Sequence, residues 1–139
     1  MKAPPRTQGI IAAGLLAILT VSVFATLTYS GPESALSRFH YGIVSGDLGL
    51  VRDSSLQDPK AGPARELLLQ VQALIADSQY YHVYRMQRDG RRATVEMVYV
   101  TRSYGPVVIP FAMTKPSHRW RVDANATWGL VAQARISPR

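Results

Sequence analysis

The fold is decided by residues 79–125, which read QYYHVYRMQRDGRRATVEMVYVTRSYGPVVIPFAMTKPSHRWRVDAN. Asp89-Gly90 stands between two runs in which apolar and polar side chains alternate, and this dipeptide is the strongest short-range signal of a β-hairpin. Residues 103–105 predict a second turn, and residues 116–117 predict a third. The stretch therefore predicts four antiparallel strands of one sheet.

The turns also predict which face of the sheet each side chain occupies. A two-residue loop at residues 89–90 places His82 opposite Met97, and the second turn places Met97 opposite Phe111. Because side chains alternate along a strand, these registers gather the large apolar residues on one inward face. Pro110 cannot donate a ladder hydrogen bond, so we expect a β-bulge there. The predicted inward-facing pocket residues are His82, Tyr80, Tyr84, Tyr99, Phe111 and Trp120.

Three helices are predicted before the sheet. The first runs from residue 30 to about 45, and Gly46 ends it. Asp47 then caps a short helix that continues to about residue 53. The third helix, at about 63–76, has leucine, isoleucine and valine at helical spacing on one side, which indicates a face that packs on the sheet.

A membrane segment is predicted near the N-terminus. Residues 9–29 contain no charged side chain, and about 20 helical residues are enough to cross the hydrocarbon layer of a bilayer. Lys2 and Arg6 precede this segment, so the positive-inside rule predicts a cytoplasmic N-terminus and a domain outside the cell (inner) membrane. A cleaved signal peptide, which would release a secreted domain, is the alternative, although the apolar stretch is longer than is usual for one.

Two segments resemble a known family. Residues 35–40 read ALSRFH and lead to SGDL at residues 45–48, and residues 118–123 read HRWRVD. With the order of the elements, they resemble the nuclear-transport-factor-2-like, or cystatin-like, superfamily over residues 32–130. The resemblance implies an α+β domain whose curved four-stranded sheet has two or three helices on one face and encloses a cone-shaped pocket. Members include isomerases, dehydratases and secretion-system subunits, so the resemblance implies no single function.

Composition and spacing narrow the chemistry. The chain has 139 residues, a net charge of +7 and no cysteine, which excludes a disulfide framework and a thiol nucleophile. Its arginines are dispersed and not interleaved with aromatic residues, so we expect no nucleic-acid partner. His40, His82 and His118 lack the spacing of metal ligands, and no phosphate-binding loop is present, so neither a metal nor a cofactor is predicted. We expect His40 on a solvated helix flank or at the pocket mouth.

No catalytic residue is predicted, and the interpretation leans away from an enzyme. His82 suits a general base or a ligand contact, but a core histidine with one hydrogen-bond partner explains it equally simply. Enzymes of the superfamily usually need an inward-facing carboxylate. Asp47 is explained by helix capping, Asp89 by the turn, and Asp123 and Glu96 by outward strand positions.

The leading functional hypothesis is a single-span membrane-anchored envelope protein. Its outside domain would bind a small apolar ligand or a protein partner, including a second copy of the chain through the sheet. One alternative is a small isomerase- or hydratase-like enzyme that uses His82 and a tyrosine, and another is a subunit of a membrane assembly such as a secretion system. The predicted organisation is a cytoplasmic stub at 1–8, a transmembrane helix at 9–29, the domain at 30–130 and a loose basic tail at 131–139.

Overall fold

The computed structural model describes residues 9–20 and 31–136, and the chain divides into two compact units between Gly31 and Pro32. The first unit contains helix α1 (residues 9–20). Within the described residues, no helix combines the length and the hydrophobicity that a membrane crossing requires. The predicted span at 9–29 includes residues 21–29, which lie outside the described residues, as do the predicted stub at 1–8 and the start of the predicted first helix at residue 30.

The second unit is an α+β domain with one four-stranded antiparallel sheet, as predicted. The strands are neighbours in chain order, so the sheet is a simple meander. Its elements are α2 (Pro32–Ser45), α3 (Leu48–Asp53), α4 (Gly62–Asp77), β1 (Ser78–Asp89), β2 (Arg92–Thr101), β3 (Gly105–Thr114), β4 (Arg121–Val122) and α5 (Ala124–Ile136).

The connection between α2 and α3 follows the predicted capping pattern. Gly46 adopts a φ of +72°, which a residue with a Cβ rarely tolerates, and it ends α2. The Asp47 carboxylate accepts a hydrogen bond of 3.1 Å from the Leu50 amide at the start of α3. Gly42 allows the two helices to touch, because a Cβ there would lie 2.8 Å from a methyl group of Val51.

The core lies between one face of the sheet, here called the inner face, and helices α2 and α4. Leu36 and Phe39 of α2 and Leu67 and Val71 of α4 are almost fully buried there. Full burial of a side chain of this kind contributes about 1.5–3 kcal/mol. The inner face contributes Ala93, Val95, Met97, Tyr99, Ile109, Phe111, Met113 and Val122.

The register of β2 with β3 differs from the prediction by two residues. Met97 pairs with Ile109 rather than Phe111, so each side chain keeps its predicted face but has a different partner. The cause is the turn, which begins one residue earlier than expected. Thr101 pairs with Gly105, and the Thr101 hydroxyl closes the loop by donating to the Gly105 carbonyl at 2.7 Å and accepting from the Tyr104 amide at 3.0 Å.

The bulge expected at Pro110 is absent from the β2–β3 ladder, where Pro110 pairs regularly with Glu96. Ala112, two residues further along β3, directs its amide away from β2 and donates it to the Thr127 hydroxyl. Because backbone groups alternate along a strand, the Pro110 nitrogen also points away from β2. The proline therefore removes no hydrogen bond from this ladder.

The predicted register of the β1–β2 hairpin is wrong. Asp89 pairs with Arg92, so the loop is Gly90-Arg91, with Gly90 supplying the positive φ of +58° that the turn needs. A register shift between Val83 and Arg85 then inserts one extra residue in β1. A single extra residue moves every following side chain of the strand to the opposite face. The predicted face is therefore correct for the residues of β1 between the bulge and the loop, and wrong for those before the bulge.

The end of the chain also differs from the prediction. The domain was predicted to end at residue 130, and residues 131–139 were predicted to form a loose tail. Instead α5 runs from Ala124 to Ile136, across this predicted boundary, and Val131 is buried. Helix α5 continues along the edge of β3 where β4 stops, because the Ala112 amide donates to Thr127 and the Asp123 amide donates to the Ala112 carbonyl.

Candidate functional site

His40 is buried in the core, and its two ring nitrogens have different partners. Its Nδ1 lies 2.9 Å from the Leu36 carbonyl oxygen, which can only accept, so Nδ1 bears the proton. Its Nε2 then accepts from the Tyr99 hydroxyl at 2.5 Å. Burial lowers the pKa of His40 to about 4, although the hydrogen bond to Leu36 opposes this change. The imidazole is therefore neutral at physiological pH.

Aromatic rings enclose this histidine. Tyr81 stacks on the imidazole with ring centroids 5.3 Å apart, Tyr99 stacks at 5.8 Å, and Phe111 meets it edge-on at 5.6 Å. Burial raises the pKa of the Tyr99 hydroxyl, and the nearby Tyr81 raises it further, so the phenol stays protonated. The arrangement fills this part of the inner face and suits structural support better than proton transfer.

The six predicted pocket residues are not brought together. Tyr99, Phe111 and Trp120 are buried on the core side of the domain. Tyr80 and His82 are exposed on the opposite face, because the bulge in β1 reverses their direction. Tyr84 is the extra residue at the bulge and is 61% exposed. The expectation that all six share one inward face is therefore wrong.

The expected position of His40, on a solvated helix flank or at the pocket mouth, is wrong, because the residue is buried. Tyr81 was not among the predicted pocket residues. A signal for His40 was present, because Leu36, Phe39, His40 and Ile43 follow the i, i+3, i+4, i+7 spacing of a single helix face. No local signal indicated Tyr81, because its inward direction depends on the bulge.

The outer face of the sheet, opposite the core, exposes apolar side chains. Two neighbouring cross-strand rows form an outer apolar patch that consists of Tyr80, Val100 and Pro106 in one row and His82, Val98 and Val108 in the other. Tyr80 is 56% exposed and Val108 is 45% exposed. The rings of Tyr80 and His82 stack with centroids 6.0 Å apart. The patch is an ordered apolar surface at one end of the outer face.

Beyond the patch, the same face becomes polar. The next row holds Arg85 and Glu96, whose side chains form an ion pair at 3.8 Å. These side chains are 56% and 29% exposed, so the pair contributes about 0–1 kcal/mol to stability. Among the described strands β1 pairs with β2 alone, and it has register shifts on both sides of residues 80–83, which carry the patch. Such irregularities protect an edge strand against pairing with another strand.

A cavity of about 560 Å³ lies at the hairpin end of the domain. Its walls come from the last strand rows of the outer face and from α5. The residues used below are Gln87, Arg92, Thr94 and Thr114 on the strands and Ala126 and Leu130 on α5. In the described part of the chain, no group of three histidine or acidic side chains is placed to hold a metal ion.

No protein-family model matches the sequence, and no curated protein matches it either. Among solved structures, the chain is similar to a presumed NTF2-like transpeptidase from Campylobacter jejuni, known from a crystal structure. The similarity covers 68% of this chain and 98% of that chain, with a TM-score of 0.48 and 16% sequence identity. At this identity, the likeness concerns the fold alone.

Proposed function

We propose that this chain is a membrane-anchored binding protein without catalytic activity, and that its domain docks a second copy of itself through the outer apolar patch. The observation behind the proposal is the exposure of Tyr80 and Val108 on a regular sheet face that lies opposite the core. Exposed apolar surface of this kind is typical of protein-interaction sites.

The chemistry of the titratable residues favours binding over catalysis. His40 is neutral and enclosed, and among the described residues its polar partners are a backbone carbonyl and a phenol. Asp47 caps α3, and Asp123 accepts from the Ala126 amide at the start of α5. His82, the base of the enzyme alternative, stacks on Tyr80 at the surface. These residues provide no enclosed acid–base pair of the kind that a hydratase or isomerase requires.

Two features favour a second copy as the partner. The patch contains no acidic, arginine or lysine side chain although the whole chain has a net charge of +7, so it does not select an acidic partner. The adjoining row has one cation and one anion, Arg85 and Glu96. Under a two-fold axis through this face, Arg85 of each copy can meet Glu96 of the other, which makes the surface self-complementary. The irregular edge of β1 favours contact through the face over strand addition.

A cysteine crosslink tests this proposal directly, because the natural chain has no cysteine. The full-length Val98→Cys variant, purified in a neutral detergent and oxidised, should form a disulfide-linked dimer. Leu69→Cys, which places the thiol on the exposed surface of α4, is the matched control and should stay monomeric. A Val98→Cys variant that crosslinks no faster than Leu69→Cys would contradict the two-fold contact. A contact that forms only within a larger complex with other proteins would favour the membrane-assembly alternative.

The anchor is proposed from the uncharged residues 9–29 and the preceding Lys2 and Arg6, which favour an inner-membrane location with the domain outside. The full-length protein should sediment with membranes and resist extraction by alkaline carbonate. Mass spectrometry that finds a mature N-terminus at Thr26 or Gly31 would instead establish a cleaved and secreted domain.

A further inference from the structure

The hairpin end of the domain concentrates positive charge. The Lys115 amide donates to the Arg91 carbonyl at 2.9 Å, which joins the β1–β2 hairpin to the turn after β3. The Arg88 guanidinium lies over the Trp120 ring at 5.1 Å, which joins the hairpin to the segment before β4. The basic residues of the connected segments 88–92 and 115–123 are Arg88, Arg91, Arg92, Lys115, Arg119 and Arg121. The acidic residues of these segments are Asp89 and Asp123, so the segments carry a net positive charge.

The cavity of about 560 Å³ opens within this positive end. Two carboxylates line it, Asp89 and Asp123. Asp123 Oδ1 already accepts from the Ala126 amide at 3.1 Å and from the Gln57 side chain at 2.9 Å, so this carboxylate serves to hold the start of α5. Arg92 also lines the cavity, and it forms no ion pair with a carboxylate of the described residues, including its ladder partner Asp89. Its guanidinium is available to a ligand.

The remaining lining defines the chemistry of such a ligand. Thr94, Thr114 and Gln87 offer hydroxyl and amide donors beside Arg92, and these groups suit the oxygens of a carboxylate or phosphate. Ala126 and Leu130 form an apolar wall on α5. A cleft with low-dielectric walls inside a charged region focuses the electric field and attracts ions of opposite sign. We infer that this cavity binds an organic anion, with its carboxylate or phosphate on Arg92 and its hydrocarbon portion against α5.

This site is independent of the outer apolar patch, because the two lie at opposite ends of strands β2 and β3. Hexanoate and hexyl phosphate are suitable soluble probes, and 1-hexanol is their uncharged counterpart. Each is titrated into the ¹⁵N-labelled full-length chain in a neutral detergent, with the backbone amides of Thr94 and Thr114 observed by NMR. The two anions should shift both amides and saturate, whereas 1-hexanol should leave them unchanged. Nanodiscs of anionic phospholipid, compared with neutral ones, test whether a lipid headgroup supplies the same chemistry.

Two variants locate the site. Arg92→Gln should weaken hexanoate binding at least about tenfold, since loss of a charge-assisted hydrogen bond costs about 1.4 kcal/mol or more. Arg102→Gln removes the same charge from the turn between β2 and β3, at the other end of the sheet, and should bind normally. Equal weakening by both variants, or equal shifts with 1-hexanol, would overturn the inference. Unchanged chemical shifts of both amides in the soluble-anion and the anionic-nanodisc experiments would also overturn it. A shift in either experiment identifies the source of the anion.

Discussion

Replacement of His40 by glutamine should remove most of the dependence of stability on mildly acidic pH. The pKa of His40 is about 4 in the folded chain, against an ordinary value of 6.5, because burial disfavours the imidazolium. The unfolded state therefore binds the proton more tightly. The neutral, buried His40 therefore contributes to the free energy of unfolding. Its contribution is complete above pH 6.5 and is lost as the pH falls towards 4.

The magnitude follows from the two pKa values. Their full difference corresponds to about 3 kcal/mol at 1.36 kcal/mol per pH unit. Between about pH 7.5 and about pH 5, where most carboxylates are still ionised, the loss due to His40 alone is about 2 kcal/mol. That amount is a large share of the roughly 5–15 kcal/mol that stabilises a typical domain.

Urea unfolding of the full-length protein in a neutral detergent, followed by tryptophan fluorescence at the two pH values, measures this loss. The wild type should lose about 2 kcal/mol more than His40→Gln between the two pH values. His82→Gln changes an exposed histidine and should keep the wild-type pH dependence. Equal pH dependence in His40→Gln and the wild type would refute the assignment of a neutral, buried imidazole.

Two further comparisons test the packing. Gly42→Ala should destabilise the domain by about 1–3 kcal/mol, because its Cβ would press on Val51. Gly129→Ala has open space around it and should stabilise α5 by up to about 1 kcal/mol. Similar melting temperatures of the two variants would contradict the close contact at Gly42. Trp120→Ala should lower the free energy of unfolding, measured with denaturant, by about 3–5 kcal/mol, and Arg119→Ala should lower it by about 0.5 kcal/mol or less. A destabilised arginine variant together with an unchanged tryptophan variant would be evidence against the inward position of Trp120.

Much of the fold followed from local chemistry. Gly46-Asp47 predicted the end of α2 and the start of α3, because a positive φ and a side-chain cap are properties of a few neighbouring residues. The alternation in β2 and β3 predicted the buried positions of Tyr99 and Phe111, because both strands lie inside the sheet and one face of each is covered. The two-residue error in their pairing left the faces unchanged.

The last helix required information that no local pattern supplied completely. Asp123 and the run that follows it are compatible with a capped helix, but no helix was predicted after the sheet. Gln57 decides the outcome from a distant loop, since its side chain donates to Asp123 and accepts from the Ala124 amide. Trp128 adds a hydrogen bond to the Pro63 carbonyl on α4. These partners are more than 60 residues away in sequence, so only the folded chain brings them together.

The residues of the candidate site likewise depend partly on local sequence and partly on the folded chain. The sequence by itself determined the sheet, the positions of its first two turns to within one residue and the covered face of its inner strands, because turn chemistry and side-chain alternation act over a few residues. Only the tertiary structure decided which side chains of β1 face His40. The bulge between Val83 and Arg85 turns Tyr81 inward onto His40 and places His82 at the surface. A bulge adds one residue to one strand only, so its position depends on the pairing of β1 with β2 and on the packing beneath them.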